Sequence, residues 1–150
     1  MSLRDAVRQL DLAIRQAADG EAEAARRLQA AQARLAEAER RLQAVQAYAR
    51  EYRERPLAAA PLAAGRLQDE QRFLLPLEHT IALQARITDQ DRRGLELARA
   101  GWAAARQRRQ AIEALRDERQ RAGRLKQEAL EQQRLDDRPR PANPLRGLGG

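Results

Sequence analysis

The chain has no cysteine, a single histidine and only 3% aromatic side chains in 150 residues. Without cysteine, neither a disulfide framework nor a thiolate metal site can form. His79 follows Glu78 on a predicted helix, where consecutive residues do not face each other, so it reads as a solvated surface histidine. There is no G-x-x-x-x-G-K-[ST] phosphate loop. Carboxylate pairs such as Glu37/Glu39 and Asp136/Asp137 are interleaved with arginine and read as a solvent face carrying i,i+4 pairs such as Glu37–Arg41. No catalytic group, cofactor or metal site is expected, and the chain is not read as an enzyme. No apolar run approaches the ~20 residues of a membrane span. The start, MSLRDAVRQL, has no apolar h-region, so a cytoplasmic protein without a signal peptide is expected. A mean hydropathy of −0.80 with 34% charged residues argues against a bulky globular core.

What is abundant is alanine, leucine, glutamate, glutamine and arginine, a composition of long helices. Hydrophobic residues still make up 43% of the chain. Between Leu3 and Tyr52 they recur in alternating steps of three and four: Leu3, Val7, Leu10, Ile14, Ala17, then Glu21, then apolar residues again through Leu28, Leu35, Leu42 and Ala49. The phase never slips, which is the signature of a coiled-coil helix. Glu21, beside Gly20, alone breaks it. Taking Val7, Ile14, Leu28, Leu35 and Leu42 as a positions puts Ala17, Ala24, Ala31 and Ala38 in one d column. Four small residues let a neighbouring helix approach toward the lower end of the roughly 8–10 Å range. They bury little area, at roughly 25 cal/mol per Å². Such a helix needs a partner, and its seam is weakly stabilised.

The order of elements follows from the punctuation. Ser2 and Asp5 form a near-capping box, and Arg55-Pro56 ends the first helix near Glu54. The expected division is a stalk over 1–137, with helix 1 about 3–54, a loop over 55–65 and helix 2 about 66–137, followed by a disordered tail over 138–150. Three prolines and three glycines in RPRPANPLRGLGG motivate the tail. In the second helix the apolar positions include Phe73, Leu74, Leu77, Ile81, Ile87, Leu95, Ala98, Trp102, Ala105, Ile112, Leu115, Ala122, Leu125 and Leu130. Thr88 and Asp91 interrupt them, and Pro76 either kinks the helix or marks its true start. The fold class is all-α, a long antiparallel two-helix coiled-coil hairpin.

The formal charge is +7, and 28 of the 29 basic residues are arginine. The excess lies after residue 98, where 13 basic residues face 7 acidic ones. Glu113, Asp117, Glu118, Glu128 and Glu131 interrupt that stretch, and Trp102 is its only stacking ring. These features argue against nucleic acid and for an acidic protein surface. Arg116, Arg119 and Arg124 are the basic residues expected to meet it. Tyr48, Tyr52 and Phe73 crowd the closed end of the hairpin. They either seal it as a small core or stay exposed as binding anchors.

Three segments carry a family resemblance. Gln46-Ala-Tyr48-Ala-Arg-Glu51-Tyr52-Arg53 resembles the Tyr-x-x-x-Tyr segment that ends the first helix of the flagellar type III export protein FliJ. Gln71-Arg-Phe73-Leu-Leu-Pro-Leu77-Glu78-His-Thr-Ile81 is similar to its aromatic-plus-aliphatic heptad, and Trp102-Ala-Ala-Ala-Arg106-Gln-Arg108-Arg109 to its Trp-plus-basic stretch. The resemblance covers about Leu3 to Asp137. It implies an antiparallel stalk similar to the coiled coil of the F-type ATP synthase gamma subunit, with the helix termini inside the pore of the hexameric export ATPase. It also implies contact with the membrane export gate protein through Tyr48, Tyr52, Phe73 and Leu77, and handling of export chaperones. The expected place is the cytoplasmic face of the inner membrane, by peripheral association. Thr80, Gln84 and Pro76 depart from the family's pattern. The related stalk of a virulence type III secretion system and a generic coiled-coil or nucleic-acid-associated protein are the alternatives.

Overall fold

The computed structural model describes residues 2–55 and 63–138, with side chains of the second stretch from 72 onward. It is all-α. Helix α1 spans Leu3–Glu54 and helix α2 spans Ala63–Asp136, with no strand among the described residues. The two pack against each other as the antiparallel helical hairpin expected from the heptads. Residues 56–62 of the expected loop and 139–150 of the expected tail lie outside the described residues.

The Ser2 hydroxyl begins α1 by accepting the Asp5 N–H at 3.2 Å and donating to Asp5 Oδ2 at 2.8 Å. This satisfies one of the four free N–H groups of the first turn. α1 stops at Glu54, one residue short of the Arg55-Pro56 pair that cannot continue it. Helix α2 begins at Ala63, ahead of the expected Arg66, and runs through Pro76. A helix start after Pro76 is therefore ruled out. The proline ring still deprives the Arg72 carbonyl of its intrahelical donor, and the Thr80 hydroxyl donates to the Pro76 carbonyl at 2.9 Å.

The chain falls into two compact units. One holds α1 up to Gln16 with α2 from Arg108, and the other is Ala17–Gln107. In the Ala17–Gln107 unit, Arg53 pairs with Glu78 at 2.8 Å and Glu39 with Arg92 at 3.7 Å, so residue numbers rise on α2 as they fall on α1. In the unit of the chain termini, Asp11 meets Arg116 and Leu3 lies against Gly123, the same antiparallel order. Every heptad position of α1 from Val7 to Tyr52, Glu21 included, is half-buried or buried. Three of the few well-buried residues are alanines, Ala17, Ala38 and Ala49. A seam of that kind brings backbones close without burying much area.

On α2 the structure corrects the seam. Ile87, Leu115, Leu125 and Leu130, expected to face α1, are exposed, and so is Ala122. Within Ala17–Gln107 the inward positions are Leu74, Leu77, Ile81, Gln84, Thr88, Asp91, Leu95, Ala98, Trp102 and Ala105. That is a strict heptad, and it runs through the residues that interrupt the apolar pattern. Thr88 is the most deeply buried of them, at 2% exposure. At Gln84 and Thr88 the physical reason is that both side chains find acceptors in place. Gln84 Nε2 donates to the Ala38 carbonyl at 3.2 Å, and the Thr88 hydroxyl donates to the Gln84 carbonyl at 2.8 Å, with the Ala38 carbonyl at 3.4 Å. Alanine at position 38 makes this reach possible.

A consequence can be measured. Both carbonyls sit in helix interiors and already receive a backbone N–H, so removing the Thr88 hydroxyl strands no acceptor. Thr88→Val keeps the shape and is expected to change stability by less than about 1 kcal/mol in urea unfolding. A loss well above that figure would mean that the hydroxyl holds the helices together.

On the solvent face, Glu37 receives Arg40 at 2.7 Å and Arg41 at 3.1 Å, and Glu23 receives Arg26 at 2.7 Å. The hydrogen bonds from Arg40 and Arg26, then their charges, hold these two carboxyls below the usual carboxylate range. Their contribution is present above that range and is lost as pH falls through the lowered values. Exposed pairs of this kind add little to stability.

Candidate partner-binding surfaces

In the Ala17–Gln107 unit the i,i+4 spacing puts Tyr48 and Tyr52 on one face of α1, and Phe73 and Leu77 on one face of α2. The antiparallel packing brings the rings together. Phe73 lies 4.4 Å from Tyr52, centroid to centroid and 34° inclined, and 6.1 Å from Tyr48 at 58°. Such contacts contribute about 0.5–1.5 kcal/mol each beyond area burial. The rings are nevertheless not sealed. Tyr48 is 49% exposed and Phe73 40%, while Tyr52 and Leu77 are half-buried. The patch packs on itself and still leaves Tyr48 and Phe73 open to solvent. The Arg55 guanidinium lies 5.5 Å over the Tyr52 ring and Arg53 bridges to Glu78, so charge rims the patch. Thr80 is exposed, and Gln84 is turned toward α1.

Trp102, in the same unit, is half-buried with the Arg106 guanidinium 5.4 Å over its ring. A cation held there makes the indole face unavailable as a bare stacking platform.

The basic residues expected to meet an acidic partner lie in the unit of the chain termini, and they differ among themselves. Arg116 is half-buried and donates to Asp11 at 3.2 Å and to Asp117 at 3.3 Å. The hydrogen bond it donates to Asp11, followed by that to Asp117, raises its pKa. Its Nε is buried without a hydrogen-bond partner. Arg116 therefore ties α1 to α2. Arg119 and Arg124 are exposed and make no ion pair among the described residues. Sequence reasoning missed the Asp11–Arg116 bridge, which becomes visible only when the antiparallel register is set. Arg4, Arg8 and Lys126 are also exposed and make no ion pair among the described residues; the sequence does not single them out from the other basic residues.

His79 is exposed, and no cluster of His, Asp and Glu among the described residues has the geometry of a metal site. No helix among them is long and apolar enough to cross a membrane. Fold and surfaces together define a helical coiled-coil protein with an exposed aromatic patch and exposed arginines. A family model described as flagellar FliJ protein matches residues 7–139, and the chain belongs to that family. Membership carries a role associated with flagellar protein export, in a family of non-enzymatic, stalk- or chaperone-like proteins. No curated protein matches the chain.

Proposed function

We propose that this chain is a non-enzymatic stalk and adaptor of the flagellar type III export apparatus. Its terminal turns enter the ring of the export ATPase, and its aromatic patch contacts the membrane export gate protein. It also handles export chaperones, and it works at the cytoplasmic face of the inner membrane without spanning it. The flagellar family match favours this apparatus over its virulence counterpart. The observation that carries the reading is the aromatic patch, since Tyr48 and Phe73 keep 49% and 40% of their surface open while their tilted rings lie near each other. Open aromatic faces beside arginine are the composition of binding hot spots. Exposed Arg119 and Arg124 suit an acidic ring lumen through electrostatic complementarity.

The two surfaces are separable by experiment. Tyr48→Ala with Phe73→Ala is expected to weaken gate binding at least about tenfold, with little dependence on salt, and to spare the ATPase. Arg119→Glu with Arg124→Glu is expected to weaken ATPase binding steeply at low salt and less at high salt, and to spare the gate. Binding of both purified variants to both partners at two salt concentrations decides the matter. Equal loss of both partners by both variants would overturn the assignment. Binding of nucleic acid that falls steeply with salt, without binding to either protein, would favour the third alternative.

A further inference from the structure

A groove of about 840 Å³ lies in the unit of the chain termini, between the first turns of α1 and the last turns of α2. Its apolar lining comes from Leu3, Val7 and Leu130. It forms because the helices are out of step. Leu3 lies against Gly123, while α2 continues to Asp136. Every described residue from Arg124 onward is exposed, so these turns of α2 run on without a packing partner. A helix end in that state gains little from packing.

The charge around the groove is one-sided. Arg4, Arg8, Arg124 and Lys126 line it, and no carboxylate does. All four are exposed, and none has an ion pair or hydrogen bond among the described residues. Elsewhere on the molecule arginines pair repeatedly, as Arg26, Arg40, Arg92 and Arg99 do with nearby Glu or Asp. Four unpaired cations around an apolar floor repel any occupant of like charge. Residues 139–150 contain Arg140 and Arg146 and no Asp or Glu, so this chain's own C-terminal segment is mismatched. A second copy docking by the same face would bring the same four cations against them.

We infer that this groove receives an acidic amphipathic helix from a partner protein, its apolar face on Leu3, Val7 and Leu130 and its carboxylates among Arg4, Arg8, Arg124 and Lys126. A helix laid in a groove reads such a site through apolar anchors at i, i+3, i+4 and i+7. The occupant completes the seam that α1 leaves open beyond Leu3. The inference goes beyond the stalk reading and is measured without the ATPase or the gate, so either can fail while the other stands.

The test uses the full chain and a labelled helical peptide of Leu, Ala and Glu with Leu at a and d. Its controls are the same composition shuffled so that the leucines share no face, and the Lys-for-Glu version. Fluorescence anisotropy is expected to show binding of the amphipathic Glu peptide alone. Arg8→Glu with Arg124→Glu should weaken it about tenfold or more, as should Leu130→Gln at unchanged net charge. Arg50→Glu with Arg93→Glu, exposed positions of the other unit, should change it less than about twofold. Circular dichroism verifies that each variant remains helical. Equal binding of the shuffled peptide, or an equal loss in the Arg50/Arg93 variant, would reduce the effect to net charge and overturn the inference. So would a groove covered in a dimer by sedimentation, or phosphatidylserine vesicles binding through the groove where the peptide does not.

Discussion

Replacing Ala38 by leucine is expected to destabilise the protein by roughly 1–3 kcal/mol. Ala38 is 4% exposed, and its carbonyl receives Gln84 Nε2 at 3.2 Å from the facing helix. Thr88, the most buried side chain described, sits against the same point. A leucine there has no space between the backbones, so the helices must separate and the Gln84 bond is lost with them. The matched control is Ala36→Leu, the same change two residues away at an exposed position. It should leave the melting temperature nearly unchanged. Thermal unfolding of both variants by circular dichroism checks the result. If the two melt alike, the alanine column is not a close-approach surface.

The second large effect has the opposite sign. Gly20, Gly94 and Gly101 lie inside helices, and a Cβ built at any of them meets nothing within 4 Å. Alanine at each position therefore carries no steric cost, and the gain is the helix propensity difference of about 0.8–1.0 kcal/mol per site. The triple variant is expected to gain on the order of 2–3 kcal/mol, since distant sites add. Weak packing is the reason that propensity counts for so much here. Gly123 is the contrast, because a Cβ there would collide with Leu3 Cδ2. Leu3 is exposed and can swing aside, so Gly123→Ala should gain less than the others and open the groove floor. Urea unfolding of the four single variants measures the order, and a gain at Gly123 equal to that at Gly20 would contradict the Leu3 contact.

The polar residues of the α2 seam are also where functional expectation had to change. Arg116 belongs by sequence to the same basic stretch as Arg119 and Arg124, and nothing in its neighbours separates them. The antiparallel register places Asp11 opposite it, which turns a candidate partner contact into an internal bridge. The same register leaves Arg4, Arg8, Arg124 and Lys126 around one groove, although the first two and the last two lie at opposite ends of the chain. A charge count along the sequence locates an excess and not its face.

By itself the sequence determined that the chain is helical and what the helices need. The unbroken heptads of α1, the Ser2–Asp5 cap and the Arg55-Pro56 stop act through neighbours three or four residues apart, and local geometry suffices to read them. It also determined that aromatic residues cluster near the connection, since Tyr48, Tyr52 and Phe73 flank it closely. Only the tertiary structure decided which face of α2 turns inward. Apolar Ile87 competes there with polar Thr88 and Gln84, and one backbone carbonyl, Ala38, settles the competition by accepting hydrogen bonds across the interface. A buried polar group costs little where its acceptor is already in place and much where it is not. Whether an acceptor is in place depends on the other helix, fifty residues away along the chain.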